Sequence, residues 1–114
     1  MKAIHCGITS REYKDHPKFA GVKIAILIKS TDSEAVSVSE LQVDPGVKAP
    51  IHTHDLQIDS IYVVSGTARA YINQEWIEVS AGDYIYVPAT AEHGLHNTGD
   101  EILRLFVHHS PPLF

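Results

Sequence analysis

Cysteine is almost absent: Cys6 is the one thiol in 114 residues. It has no partner for an internal disulfide, which points to a reducing compartment and so to the cytoplasm. Positive charge is also scarce. Nine Lys and Arg stand against fourteen Asp and Glu, a net charge of −5. That balance argues against generic attraction to nucleic acid or to an anionic membrane. No long hydrophobic run exists. The longest, Ile24-Ala25-Ile26-Leu27-Ile28, is five residues between Lys23 and Lys29, where a spanning helix needs about 20. The opening stretch from Met1 to Gly7 lacks the sustained apolar segment of a signal peptide. Helical periodicity is missing throughout. The polar stretch from Ser10 to Ala20 carries Pro17 and leaves room for a short helix or a loop at most.

What is present is a series of short extended segments. Apolar residues at 44% and charged residues at 20% describe an ordinary globular chain. Domains run to about 100–200 residues, so 1–114 is read as one domain, with 1–21 as an N-terminal arm and 22–110 as the barrel core. Strands are expected over 22–29, 35–43, 51–54, 60–64, 67–73, 76–79, 84–87, 93–97 and 102–109. Between them lie turn clusters such as Asp44-Pro45-Gly46, Asn73-Gln74-Glu75 and Thr98-Gly99-Asp100-Glu101. Turn signals every 8–12 residues or so predict an all-β sandwich, jelly roll or barrel. The segment from Val22 to Lys29 is apolar on both faces and needs cover on both. A partner subunit is one candidate cover, so a homodimer is expected.

Histidine is the one over-supplied residue, with eight in the chain. His52 and His54 stand two apart, so on a strand their imidazoles share a face. Asp59 has the wrong parity for a continuous strand, but a turn over Asp55-Leu56-Gln57-Ile58 lets it open the next one. His93 begins another extended segment. Two imidazoles, a carboxylate and a remote third imidazole make a ligand set for a divalent transition metal. A bare His-x-His in so histidine-rich a chain reads equally as surface or hydrogen-bonded core residues. The glycine and proline punctuation around the histidines separates these readings.

Gly46, five residues, His52-Thr53-His54, four residues, Asp59, six residues and Gly66 resemble the first motif of the cupin superfamily. Gly82, five residues, Pro88, four residues, His93, three residues and Asn97 resemble the second. The fifteen residues between Gly66 and Gly82 are close to the spacing of small microbial cupins. The resemblance implies a double-stranded β-helix with one divalent metal (Fe, Mn, Ni, Zn or Cu) in the barrel mouth. Its ligands would be His52, His54, Asp59 and His93. Two positions depart from the pattern. Asp59 replaces the usual glutamate and is one methylene shorter, so Asp55 and Gln57 are fallback ligands. Thr90 replaces a usual glycine, which implies no positive φ there. The resemblance also favours a dimer.

Such a ligand set leaves positions open for water, dioxygen or a substrate oxygen. A redox-active iron would bring dioxygenase chemistry. Zinc, manganese or nickel would bring Lewis-acid isomerase or lyase chemistry. With Phe106 taken as inward, Arg104 and His108 share its face, and Arg104 would bind a substrate carboxylate. His96 reads as a general acid or a surface residue, and Tyr86 as a donor to bound oxygen or a packing aromatic. Trp76 reads as rim or interface packing, and His5, His16 and His109 as surface. The expectation is therefore a metal-dependent enzyme acting on a small, oxygen-rich, anionic metabolite. The alternative is a non-catalytic binder of a sugar or other metabolite. Neither nucleic acid nor membrane is expected as a partner.

Overall fold

The computed structural model describes residues 2–114; Met1, the first residue of the expected arm, lies outside the described residues. The strands are β1 (Lys14–Asp15), β2 (Val22–Ile28), β3 (Ser37–Val43), β4 (Lys48–His52), β5 (Ile58–Ser65), β6 (Thr67–Ile72), β7 (Glu75–Ser80), β8 (Tyr84–Val87), β9 (His93–His96) and β10 (Leu103–Ser110). They form two antiparallel sheets. The larger runs β1-β2-β3-β10-β5-β8 and the smaller β4-β9-β6-β7. The chain crosses repeatedly from one sheet to the other, and β10 returns to lie between β3 and β5. This is the all-β, double-stranded β-helix. Among the described residues no helix is long and apolar enough to cross a membrane.

Alternation along each strand builds the core. On β8 the side chains of Ile85 and Val87 are buried while Tyr84 and Tyr86 are exposed. Val22, Val43, Val63, Leu103, Leu105 and Val107 fill the space between the sheets with Ala68, Ala70, Val79 and Leu95. The β6–β7 hairpin closes through Asn73 and Gln74, at φ 51° and 68°. Positive φ at both positions gives the mirror-type turn whose twist matches a two-residue hairpin. Gly66, at φ 97°, joins β5 to β6 where a Cβ would stand 3.1 Å from the Leu103 backbone.

Three expectations change here. The strand expected over 51–54 is shifted: β4 ends at His52, and His54 lies beyond it. The outer face of β2 does not wait for a partner subunit. The chain's own N-terminal segment covers it: β1 pairs with β2, the Cys6 thiol donates to the Leu27 carbonyl at 3.4 Å, and Arg11 and Tyr13 both bind Glu40 of β3. On that face Ala25 is buried and Lys23 stays exposed, while Ile26, 43% exposed, shares the inward parity of Val22 and Ile24. Finally, the assumed facing of β10 is reversed. Leu103, Leu105, Val107 and His109 are buried inside, and Arg104, Phe106 and His108 take the outer face. Parity is all-or-none along a strand, so three aliphatic residues prevail over one phenylalanine.

Candidate metal centre

A bulge places the first ligand. Ala49 pairs with Leu95 and His52 with His93, so β4 has one residue more than β9 between these pairs. Ala49 and His52, three apart, would point oppositely on a regular strand. The extra residue turns His52 inward. The bulged strand presses on β9 at Gly94, where a Cβ would meet the Ala49 carbonyl oxygen at 3.2 Å and the Ile51 Cα at 3.3 Å. Glycine is the residue that permits that approach.

His54 is placed by a different device. Its carbonyl accepts a hydrogen bond of 2.8 Å from the Thr90 backbone amide. That contact ties the His52–Asp59 connection to the loop leading into His93. Thr90 sits at φ 70°, contrary to the expectation of ordinary backbone there. A β-branched residue in this region is strained, and the cross-loop bond holds it. Asp59, the second residue of β5, faces inward beside His109 of β10, its pairing partner. Downstream of His93, Asn97 is fully buried and caps the next turn. Its amide donates to the Val43 and Glu101 carbonyls, both at 2.9 Å, and its oxygen accepts from the Gly99 amide at 3.0 Å.

The result is a carboxylate ringed by imidazoles. Asp59 Oδ2 lies 3.2 Å from His93 Nε2, 3.4 Å from His109 Nε2 and 3.7 Å from His54 Nε2. His52 completes the ring, its centroid 4.2 Å from that of His93. Two overlapping triads, His52-His54-His93 and His54-Asp59-His109, each bring ligand atoms within 4.8 Å of one another. Burial alone would raise the Asp59 carboxyl, but the contacts with His109, His54 and His93 outweigh it and hold the group far below the usual carboxylate range. Burial would lower His93, but Asp59 and the Ala91 carbonyl outweigh it and raise the imidazole. His52 is lowered, first by burial and then by its neighbours His93 and His54.

The donor set fits a metal ion. His52 Nδ1 donates to the Pro50 carbonyl at 2.7 Å and His93 Nδ1 to the Ala91 carbonyl at 3.1 Å. Backbone carbonyls holding Nδ1–H leave Nε2 as the ligand atom and fix the ring, as around bound metals. Asp59 Oδ1, His93 Nε2 and His109 Nδ1 are buried without hydrogen-bond partners. Each such orphan costs about 1–3 kcal/mol, and a cation in the ring would relieve His93 Nε2 directly. The imidazole and carboxylate mixture suits a first-row divalent ion.

The other expected site residues lie elsewhere. Arg104 reaches Glu40 at 3.4 Å on the outer face of the larger sheet, and His108 packs edge-on against Phe106 on that same face. Tyr86 is 57% exposed, outside the barrel. His96 pairs with Lys48 and Arg69 at the far end of β9 and does not line the cavity. His109 and His16, expected at the surface, both line the cavity. For His109 the signal was there, in its shared parity with Leu105 and Val107. His16 is brought in by a loop, which alternation cannot read.

A histidine and aspartate cluster able to hold a metal ion, at the mouth of a double-stranded β-helix, defines a class of small β-barrel proteins. The sequence comparison narrows it: the cupin-domain family model matches residues 39–109, and the chain belongs to the cupin superfamily. It is 30% identical over 76 residues to the uncharacterized protein MJ1618 of Methanocaldococcus jannaschii, covering 67% of this chain and 61% of that one. It is 30% identical over 67 residues to the polyketide synthase CurC of Streptomyces cyaneus, covering 59% and 44%. The matched stretches thus span less than two thirds of either relative. The fold superposes on a predicted oxalate decarboxylase from Thermotoga maritima with TM-score 0.84, at 18% identity, over 95% of this chain and 99% of that one.

Proposed function

We propose that this cupin is a metal-dependent enzyme acting on a small molecule that presents an oxygen atom to a metal held by His52, His54 and His93, with Asp59 and His109 completing the donor set. The observation that carries the reading is the convergence of four imidazoles and one carboxylate with buried, unpartnered ligand atoms. Bound there, a divalent transition metal supplies Lewis acidity or, with iron, a route to dioxygen chemistry. The protein's own groups do the rest. The Pro50 and Ala91 carbonyls orient the rings, Asp59 holds charge beside the open side, and the barrel walls exclude water. Among the described residues no arginine lines the cavity, so the expected recognition of an anionic substrate loses its main support. The polyketide label of CurC makes a carbon-skeleton substrate with keto or enol oxygens the better match.

Isothermal titration of metal-free protein with Co(II) tests the centre. The parent takes up one ion per chain. His93→Ala weakens binding by at least about a hundredfold, and His108→Ala leaves it unchanged. Retention of one tightly held ion by His93→Ala overturns the site. The free Cys6 supports a cytoplasmic setting as part of the same proposal. A homodimer is also proposed. Its support moves from β2 to the exposed outer face of β5 and β8, where Tyr62, Val64, Tyr84 and Tyr86 lie together.

A further inference from the structure

Behind and above the metal-ligating residues lies a cavity of about 280 Å³, near the lower end of small-molecule pockets, which run from about 300 to 1,000 Å³. Its deep walls are aliphatic: Ile24, Leu41, Ile72, Ile85, Leu105 and Val107. Among the described residues lining it, Lys18 is the one lysine or arginine, and it stands exposed on the mouth loop. The one arginine expected inside, Arg104, is turned outward onto Glu40. Among the described residues lining the cavity, Ser39 and Thr53 are the only ones with hydroxyl side chains. A carboxylate or phosphate carried past the metal would be buried without a counter-charge, and a sugar would leave most of its hydroxyls without partners.

The mouth is aromatic. Phe19 stacks on His16 with centroids 4.6 Å apart and planes 22° apart, and its centroid stands 5.3 Å from that of His52. The C-terminal Phe114 meets His16 and His109 edge-on at 6.2 Å and 6.0 Å. Its position is set by two hydrogen bonds: the Ser30 amide donates to the Phe114 carbonyl at 2.6 Å, and the Leu113 amide to the Ser37 hydroxyl oxygen at 3.0 Å. Phe19 and Phe114 thus both border the entrance, either side of a shared contact with His16, and each lies against one imidazole of the cluster, His52 and His109 respectively.

We infer that the occupant of this cavity is an uncharged, flat aromatic molecule whose one polar end, a phenolic or enolic oxygen, faces the His52-His54-His93 cluster. The inference rests on the metal-centre reading for the polar end and on the walls and rim for the apolar body. Aliphatic walls take the body of a ring system, and Phe19, whose one face carries His16, borders its path beside His52.

Binding of 2-naphthol, oxalate and glucose is measured by calorimetry on the full chain, metal-free and Co(II)-loaded, with Co(II) uptake measured separately. The expected result is that 2-naphthol binds the loaded protein at least about tenfold more tightly than oxalate or glucose, and that Phe19→Ala weakens 2-naphthol about tenfold while Co(II) affinity holds. Tighter binding of oxalate or glucose to the loaded protein overturns the inference and leaves the metal centre standing. So does unchanged 2-naphthol affinity in Phe19→Ala. Failure of the parent to take up Co(II) overturns the metal centre instead. In that case the metal-free arm decides the apolar body: 2-naphthol binding that Phe19→Ala weakens supports it, and no binding overturns it.

Discussion

At the scale of single residues, the chemistry is concentrated in Asp59. It is one methylene shorter than the glutamate of the family pattern, yet its Oδ2 lies within 3.7 Å of three imidazole nitrogens. Its carboxylate sets the protonation of the metal-free centre. His93 is raised by it, so the stability gained from protonated His93 is fully present below the unfolded value of about 6.5 and is lost as pH rises through the raised folded value. His52 is lowered, so its contribution has the opposite sign: it is present above about 6.5 and lost as pH falls. The two partly cancel in the parent, and a variant separates them. Asp59→Asn removes the group that raises His93. In metal-free protein, the stability of the parent relative to Asp59→Asn is therefore greatest near pH 5.5 and declines toward pH 8, as read by urea unfolding at each pH. A difference that grows with pH would contradict the pairing. Asp59 and His93 were both legible from motif spacing. His109 was not, because the facing of β10 was taken from the wrong side chain.

At the scale of elements, the site is made by irregularities rather than by regular strands. His52 points inward because β4 bulges, and His54 is held by a loop-to-loop bond to Thr90. Thr90 pays a strain cost at φ 70° that glycine would not. Left-handed backbone costs a non-glycine residue about 1–2 kcal/mol, against the 0.5–1 kcal/mol or so of unfolded-state entropy that glycine brings. Thr90→Gly is accordingly expected to stabilise the protein by about 0.5–1 kcal/mol, measured by thermal or urea unfolding, with the His54 contact intact because it uses the backbone amide. Lower stability in this variant would mean that the threonine side chain contributes more than its backbone strain costs. Strand existence was readable almost throughout from alternation and turn residues. The ends of β4 and the conformation at Thr90 were not, since bulges and strained loops arise from what packs against them.

At the scale of the whole molecule, two sheets enclose a cavity, and the segments His16–Phe19 and Leu113–Phe114 complete its lining. The N-terminal segment pairs with the edge of β2 and sends the His16–Phe19 loop to the entrance, which Leu113 and Phe114 also line. The surface proposed for self-association is the exposed aromatic face of β5 and β8. Light scattering at micromolar concentration should give twice the 12.6 kDa chain mass, and Tyr84→Glu should shift it toward monomer; a monomer mass for the parent rules the dimer out. The amino-acid sequence by itself determined the all-β class, the cupin motifs and the residues His52, His54, Asp59 and His93, because these depend on local alternation and on glycine and proline spacing. Only the tertiary structure decided that His109 joins them, that Arg104 and His108 face out, and that the cavity is apolar with an aromatic rim. The facing of β10 was open to two readings, by Phe106 or by Leu105 and Val107, and packing chose the aliphatic side; the rim depends on where the segments holding His16, Phe19 and Phe114 pack, which no pattern within a few residues of them encodes.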